Sequence, residues 1–183
     1  MFEAHMFIGP MYSGKSTELL RQVKRYESIG MNVLLVNHTN DTRTDDSVKT
    51  HDNYKHVALK VNSLLTLVDN NMIEETNVIA IDEAQFFSDL KEFILSIENK
   101  NVILYIAGLD GDSNRNPFGQ ILECIPLCDT VIKLRALDMI NCDGNTKAPF
   151  TLRVENKTNT QIQIGAKDAY KAVSRRNYLN LKF

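Results

Sequence analysis

Gly9-Pro10-Met11-Tyr12-Ser13-Gly14-Lys15-Ser16 matches the phosphate-gripping pattern G-x-x-x-x-G-K-[ST]. Its surroundings give the match its weight. The apolar run Ala4 to Ile8 precedes it, and Thr17-Glu18-Leu19-Leu20-Arg21-Gln22-Val23, with apolar residues at helical spacing, follows. A chance copy would seldom fall on a strand-to-helix turn. Gly9 and Gly14 allow backbone N–H groups to turn inward around a polyphosphate, and the helix that opens at Ser16-Thr17 adds its positive end. Lys15 is placed to reach the β and γ phosphates, and the Ser16 hydroxyl to ligate Mg²⁺. Ser13 completes the cradle, which predicts nucleotide binding.

Moving outward, Asn32-Val33-Leu34-Leu35-Val36, Val78-Ile79-Ala80-Ile81, Val102 to Ala107 and Thr130 to Leu134 are near-continuous apolar runs of the kind buried on both faces of a sheet. Helix-like segments near 63–70, 88–99 and 117–125 precede the last three in turn. Strands separated by helices predict right-handed crossovers, hence an α/β fold: a P-loop parallel sheet with helices on both faces. From Asp138 the character changes, with Asn141, Asp143, Gly144, Asn145 and Pro149 making a turn-rich stretch. Two alternating runs, Phe150 to Val154 and Thr160 to Ile164, then predict a hairpin closed by residues 155–159. The expected organisation is a kinase-like nucleotide-binding domain over 1–137 and a small C-terminal lobe over 138–183.

A chain of 183 residues with 43% hydrophobic content can bury one sizeable core. The formal net charge of −2 gives no long-range attraction for nucleic acid, because duplex binders carry a basic surplus. No apolar run approaches the roughly 20 residues that span a bilayer, and no secretory leader pattern opens the chain. Cys124, Cys128 and Cys142 are too few for a disulfide framework. A cytoplasmic protein with no membrane or nucleic-acid partner is expected.

Val78 to Ile81 ends in Asp82-Glu83, two acids at the carboxyl end of a strand, where ligands gather in α/β sheets. Asp82 is expected to face the Mg²⁺ held by Ser16. Glu83 would point elsewhere and accept a proton from an attacking hydroxyl or water. Asp41-Thr42-Arg43 follows the second apolar run, where an arginine could neutralise charge on a transferring phosphoryl group, or simply occupy a solvated turn.

Gly9 to Thr17, Asp41-Thr42-Arg43, Thr50-His51-Asp52, Asp82-Glu83-Ala84-Gln85-Phe86-Phe87, Ala107-Gly108-Leu109-Asp110-Gly111 and Asn116-Pro117-Phe118-Gly119 occur in that order, followed by Ile164-Gly165 and Tyr170. Together they closely resemble the type II thymidine kinases, the family of cellular and poxvirus-like enzymes, over nearly the whole chain. The resemblance implies transfer of the γ-phosphoryl of Mg-ATP to the 5′-hydroxyl of thymidine, a lasso-like loop over the base, and a homotetramer. By position it makes Glu83 the general base and Arg43 a phosphate-side contact. On the same resemblance Gly9, Ser13, Gly14, Lys15, Ser16 and Thr17 would bind ATP. Phe86, Leu109 and Phe118 resemble the walls of the family's base pocket and Met11 the residue near the 5-methyl group, and Gln163, Ile164 and Tyr170 match the part of the lasso that holds base and sugar. A flat thymine ring suits Phe86 and Phe118, whereas Phe87 and Phe93 read as core.

Two departures from that pattern stand out. The family commonly binds a structural zinc through two C-x-x-C pairs, whose positions here fall around Asp138 and Asn141 and at Ser174 and Asn177. One thiolate, Cys142, cannot complete such a site, so no zinc is expected and the lasso would rest on packing and backbone hydrogen bonds. Cys124 and Cys128 read as small buried hydrophobes, and His5, His38, His51 and His56 as surface or hydrogen-bonded residues. Ser113 stands where the family usually has an aromatic residue, which admits a broader deoxynucleoside kinase. The remaining alternative is a nucleotide-binding regulatory subunit without catalysis, against which Glu83 argues.

Overall fold

The apolar runs close into one six-stranded sheet of order β5-β2-β6-β7-β1-β8, every pairing within it parallel. The structure, a computed structural model, describes residues 1–41, 47–49, 55–154 and 169–182. In chain order the elements are β1 (Glu3–Ile8), α1 (Lys15–Glu27), β2 (Val33–His38), β3 (Ser47–Lys49), β4 (Lys55–Val57), β5 (Leu59–Val61), α2 (Leu65–Asp69), β6 (Val78–Ile81), α3 (Leu90–Ile97), β7 (Ile103–Gly108), β8 (Thr130–Lys133), β9 (Ala136–Leu137), β10 (Lys147–Ala148), β11 (Phe150–Arg153), β12 (Tyr170–Val173) and α4 (Arg175–Lys182). Short 3₁₀ turns cover Ala84–Phe86 and Leu122–Leu127.

Side chains alternate across a strand, so a run apolar at every position needs a cover on each face. β6 shows this directly. Val78 and Ala80 pack with Leu19, Leu20 and Val23 of α1, together with Phe7, Leu35 and Ala107 of neighbouring strands. Ile79 and Ile81 pack on the opposite face with Phe93, Ile94 and Ile97 of α3 and Leu67 of α2. The expected α/β sheet with helices on both faces is therefore present, and Phe87 and Phe93 are fully buried in the second cluster. Among the described residues, no helix is long and apolar enough to cross a membrane.

One local expectation needs correction. Residues 117–125 do not form an α-helix: the segment stays irregular through Gly119, at φ +57°, then winds into the 3₁₀ turn at Leu122–Leu127. Pro126 inside that turn has no N–H to donate, which prevents an α-helical ladder from extending through it. The C-terminal part adds a small two-stranded sheet of its own. β11 pairs antiparallel with β12, matching Phe150 to Val173 and Arg153 to Tyr170, whereas its expected partner Thr160–Ile164 lies outside the described residues. Cys124 is buried and Cys128 half-buried, and burial pushes their thiols up to about 12 and about 11, so neither is a thiolate at neutral pH.

Candidate active site

Three loops meet at the carboxyl edge of the sheet: residues 9–14 after β1, residues 82–86 after β6 and residues 109–119 after β7. In the first, Gly9 takes φ +145°, and a Cβ there would sit 2.5 Å from the Leu134 carbonyl oxygen, so only glycine lets the chain turn this close to the next strand. Gly14 is the N-cap of α1, which aims the positive end of the helix into the loop. Ser13 Oγ donates to the Pro10 carbonyl at 2.8 Å and tightens the turn. Lys15 is only 8% exposed, and its Nζ donates to the same carbonyl at 2.7 Å. An ammonium held inside its own loop is a preformed counter-charge for a polyphosphate. Thr17 is exposed on the first turn of α1.

The structure brings the hydroxyl and the carboxylate together as the sequence predicts: Ser16 Oγ donates to Asp82 Oδ1 at 3.0 Å, and Asp82 is buried. Such an oxygen pair beside a phosphate cradle suits a hard divalent cation.

Glu83 is also buried, and its backbone lies in the left-handed region at φ +51°. For a non-glycine residue this conformation is strained. Gln85, absent from the predicted site, governs Glu83. Its Nε2 donates to Glu83 Oε2 at 2.5 Å and its Oε1 accepts from the Leu109 amide at 2.9 Å, so one buried amide joins the β6 and β7 loops. Its place two residues after Glu83 was legible, but the direction of its side chain depends on the Ala84–Phe86 turn. Phe86 and Phe118 meet edge to face at 5.8 Å and 88°, giving a two-ring wall. Behind Phe86, the ring of His38 stands edge-on to Phe87 at 4.7 Å, and burial lowers its pKa so that it stays neutral at pH 7.

The Met11 amide donates to Thr151 Oγ1 at 3.0 Å, tying the phosphate loop to β11. Tyr170 sits in the lobe on β12 opposite Arg153, whose guanidinium lies 5.8 Å from the tyrosine ring centre. Arg43, Gln163 and Ile164 fall outside the described residues. Asp41, next to that arginine in sequence, is buried and accepts from Asn37 Nδ2 at 2.9 Å.

At the positions where the resembled family carries zinc ligands, the chain has built a polar knot. Asp138 accepts from the amides of Ser174 (2.5 Å), Ile140 (2.8 Å) and Asn141 (2.9 Å), and from Asn177 Nδ2 at 3.0 Å on both of its oxygens. Asn177 Nδ2 also donates to Asn141 Oδ1 at 2.9 Å. Burial works to raise the Asp138 carboxyl, but the hydrogen bonds from Asn141, Ser174 and Ile140 outweigh it and hold the group well below the usual carboxylate range. The donor set does not fit zinc: two amides, a hydroxyl and one carboxylate already saturated by N–H groups replace four thiolates or imidazoles. Asp138 thus ties residues 138–141 to the start of α4 through a side-chain carboxylate, while residues 155–168, where the lasso is expected, lie outside the described residues. Among the described residues, no group of three or more His, Cys, Asp and Glu side chains could hold a metal ion.

A family profile described as Thymidine kinase matches residues 3–178. Curated relatives called Thymidine kinase include those of Raccoon poxvirus, 40% identical over 175 residues and 96% of each chain, and Myxoma virus (strain Uriarra), 42% identical over 96% of each chain. That of Yaba monkey tumor virus (strain VR587) is 41% identical over 97% of this chain and 94% of its own. A match running from the first strand into the last helix, with about two residues in five shared along whole-length relatives, leaves no part of the sheet or its loops outside the likeness: the chain belongs to the thymidine kinase family.

Proposed function

We propose that this chain transfers the γ-phosphoryl group of Mg-ATP to the 5′-hydroxyl of thymidine. The observation that carries the reading is the placement of Glu83 beside Asp82 at the edge that also holds the phosphate loop, with Gln85 fixing the Glu83 carboxylate against the Leu109 backbone. ATP would enter the loop of Gly9, Ser13, Gly14, Lys15, Ser16 and Thr17, with Lys15 Nζ exchanging the Pro10 carbonyl for β and γ oxygens. Ser16 and Asp82 would hold Mg²⁺, which when bound neutralises charge on the phosphate oxygens.

Glu83 accepts the proton of the 5′-hydroxyl as that oxygen forms a bond to the γ phosphorus. The bond to the β-phosphate oxygen breaks, and ADP leaves. Phe86, Leu109 and Phe118 would receive the base, with Met11 at its 5-methyl group. Gln163, Ile164 and Tyr170 would hold base and sugar, and Arg43 would contact the phosphate side. Ser113, small where the family usually has an aromatic residue, favours a second reading in which other deoxynucleosides are also accepted. The homotetramer and the lobe boundary near residue 138 belong to the same proposal, and analytical ultracentrifugation checks the assembly.

The test is incubation with Mg-ATP and a panel of nucleosides, with 5′-monophosphates as the readout. Glu83→Gln is expected to lower kcat by about 10²–10⁴-fold while ATP affinity stays close to wild type. Unchanged turnover in that variant would remove Glu83 from the role of base.

A further inference from the structure

The loop after β7 carries Leu109 and Phe118, and it is bonded internally as one unit. Asp112 Oδ1 accepts from the amides of Asn114 (2.8 Å) and Asn116 (2.9 Å), the Asp112 amide donates to the Asn116 carbonyl at 2.9 Å, and Gly111 bridges Pro117. On one side this unit is tied to the catalytic edge, where Gln85 Oε1 accepts from Leu109 and a Cβ on Gly119 would lie 2.2 Å from the Gln85 carbonyl oxygen.

On its other side it is tied to α4. Tyr178 is 1% exposed, and its hydroxyl donates to the Ser113 carbonyl at 2.8 Å across 65 residues of sequence. The Arg115 guanidinium lies 4.4 Å from the Tyr178 ring centre and 5.5 Å from that of Phe150, a cation held on two aromatic rings. Phe150 and Tyr178 are themselves 5.5 Å apart and pack with Leu152 and Val173 of the lobe sheet. The start of α4 is fixed in turn, because Asp138 binds both the Ser174 amide and the Asn177 side chain. A loop spanning two anchors takes its position from both.

We propose that Tyr178 is a positioning residue for the nucleoside site: its hydroxyl on Ser113 and its ring beneath Arg115 hold the 109–119 loop in register with Glu83, so that α4 sets the width of the base pocket. This rests on the reading of Leu109 and Phe118 as nucleoside contacts.

The test uses the full chain with Tyr178→Phe, which removes the hydroxyl and keeps the ring, and Arg115→Met, which removes the cation at an exposed position. Each is expected to raise the KM for thymidine roughly two- to tenfold, the range of one modest hydrogen bond or cation–π contact. The KM for ATP and kcat should stay within about twofold. A role confined to folding would instead lower the active fraction, reducing kcat per mass of protein while leaving both KM values in place. That result, or a parallel rise of both KM values, or no change at all, overturns the proposal. Amide exchange on the ligand-free protein separates it from the functional reading. If the wild type phosphorylates no nucleoside, faster exchange at Asn114, Arg115 and Asn116 in Tyr178→Phe still establishes the coupling, and unchanged exchange refutes it.

Discussion

Glu83 shows how a strand end becomes a reactive centre. Val78 to Ile81 demands burial on both faces, and the first charged residues after it are Asp82 and Glu83, themselves buried. Glu83 takes a left-handed backbone and its carboxylate accepts from Gln85, whereas that of Asp82 accepts from Ser16. The close packing extends to Gly119, whose φ of +57° and approach to the Gln85 carbonyl leave no room for a methyl group. Gly119→Ala therefore meets the roughly 1–2 kcal/mol cost of a left-handed alanine together with a backbone clash. In a chain of this size that predicts a Tm at least about 4 °C lower, measured by differential scanning calorimetry, with kcat falling as Gln85 shifts. A Tm equal to wild type would show that the 82–86 and 109–119 loops are less tightly packed than described.

At the scale of elements, the lobe is held by the Asp138 knot, and its chemistry makes the fold acid-sensitive. The folded carboxyl lies below its ordinary value, while the unfolded one titrates near 3.9. The native state therefore binds fewer protons, and the stabilisation is complete above the unfolded value and lost as pH falls from about 5 toward the folded value. Asp138→Asn is expected to lower Tm at pH 7 and to flatten the decline between pH 5 and pH 3, the two curves converging at the acid end. Parallel curves would remove Asp138 as the hub. A metal clasp would behave differently, releasing on chelation and protonation of its ligands near neutral pH.

Across the whole molecule, stability should follow the sheet from its centre outward. β6 and β7 are covered on both faces, whereas β8 at the edge leaves Thr130, Ile132 and Lys133 exposed. Hydrogen exchange should accordingly find the amides of Ile79 to Ile81 and Leu104 to Ile106 opening only with global unfolding, and those of β8 opening earlier by local fraying. Uniform protection across the six strands would contradict this gradient. The arrangement serves the proposed chemistry, because the reactive loops spring from the most rigid strands while the lobe approaches them through Thr151 and Tyr178.

The sequence by itself determined the parallel sheet, its two helical layers and the phosphate loop, because each is a local pattern: unbroken apolar runs need two covers, and Gly9 to Ser16 needs only its own backbone to form the turn. The placement of Asp82 near Ser16 was legible for the same reason, both being fixed to strand ends by the order of the sheet. Tertiary structure alone decided the rest. Pro126 marked a break without saying that residues 117–121 would remain a loop. Gln85, Asp138, Asn177 and Tyr178 are ordinary polar or aromatic letters whose partners lie up to 65 residues away. A hydrogen bond depends on two atoms meeting in space, and spacing along the chain records only one of them.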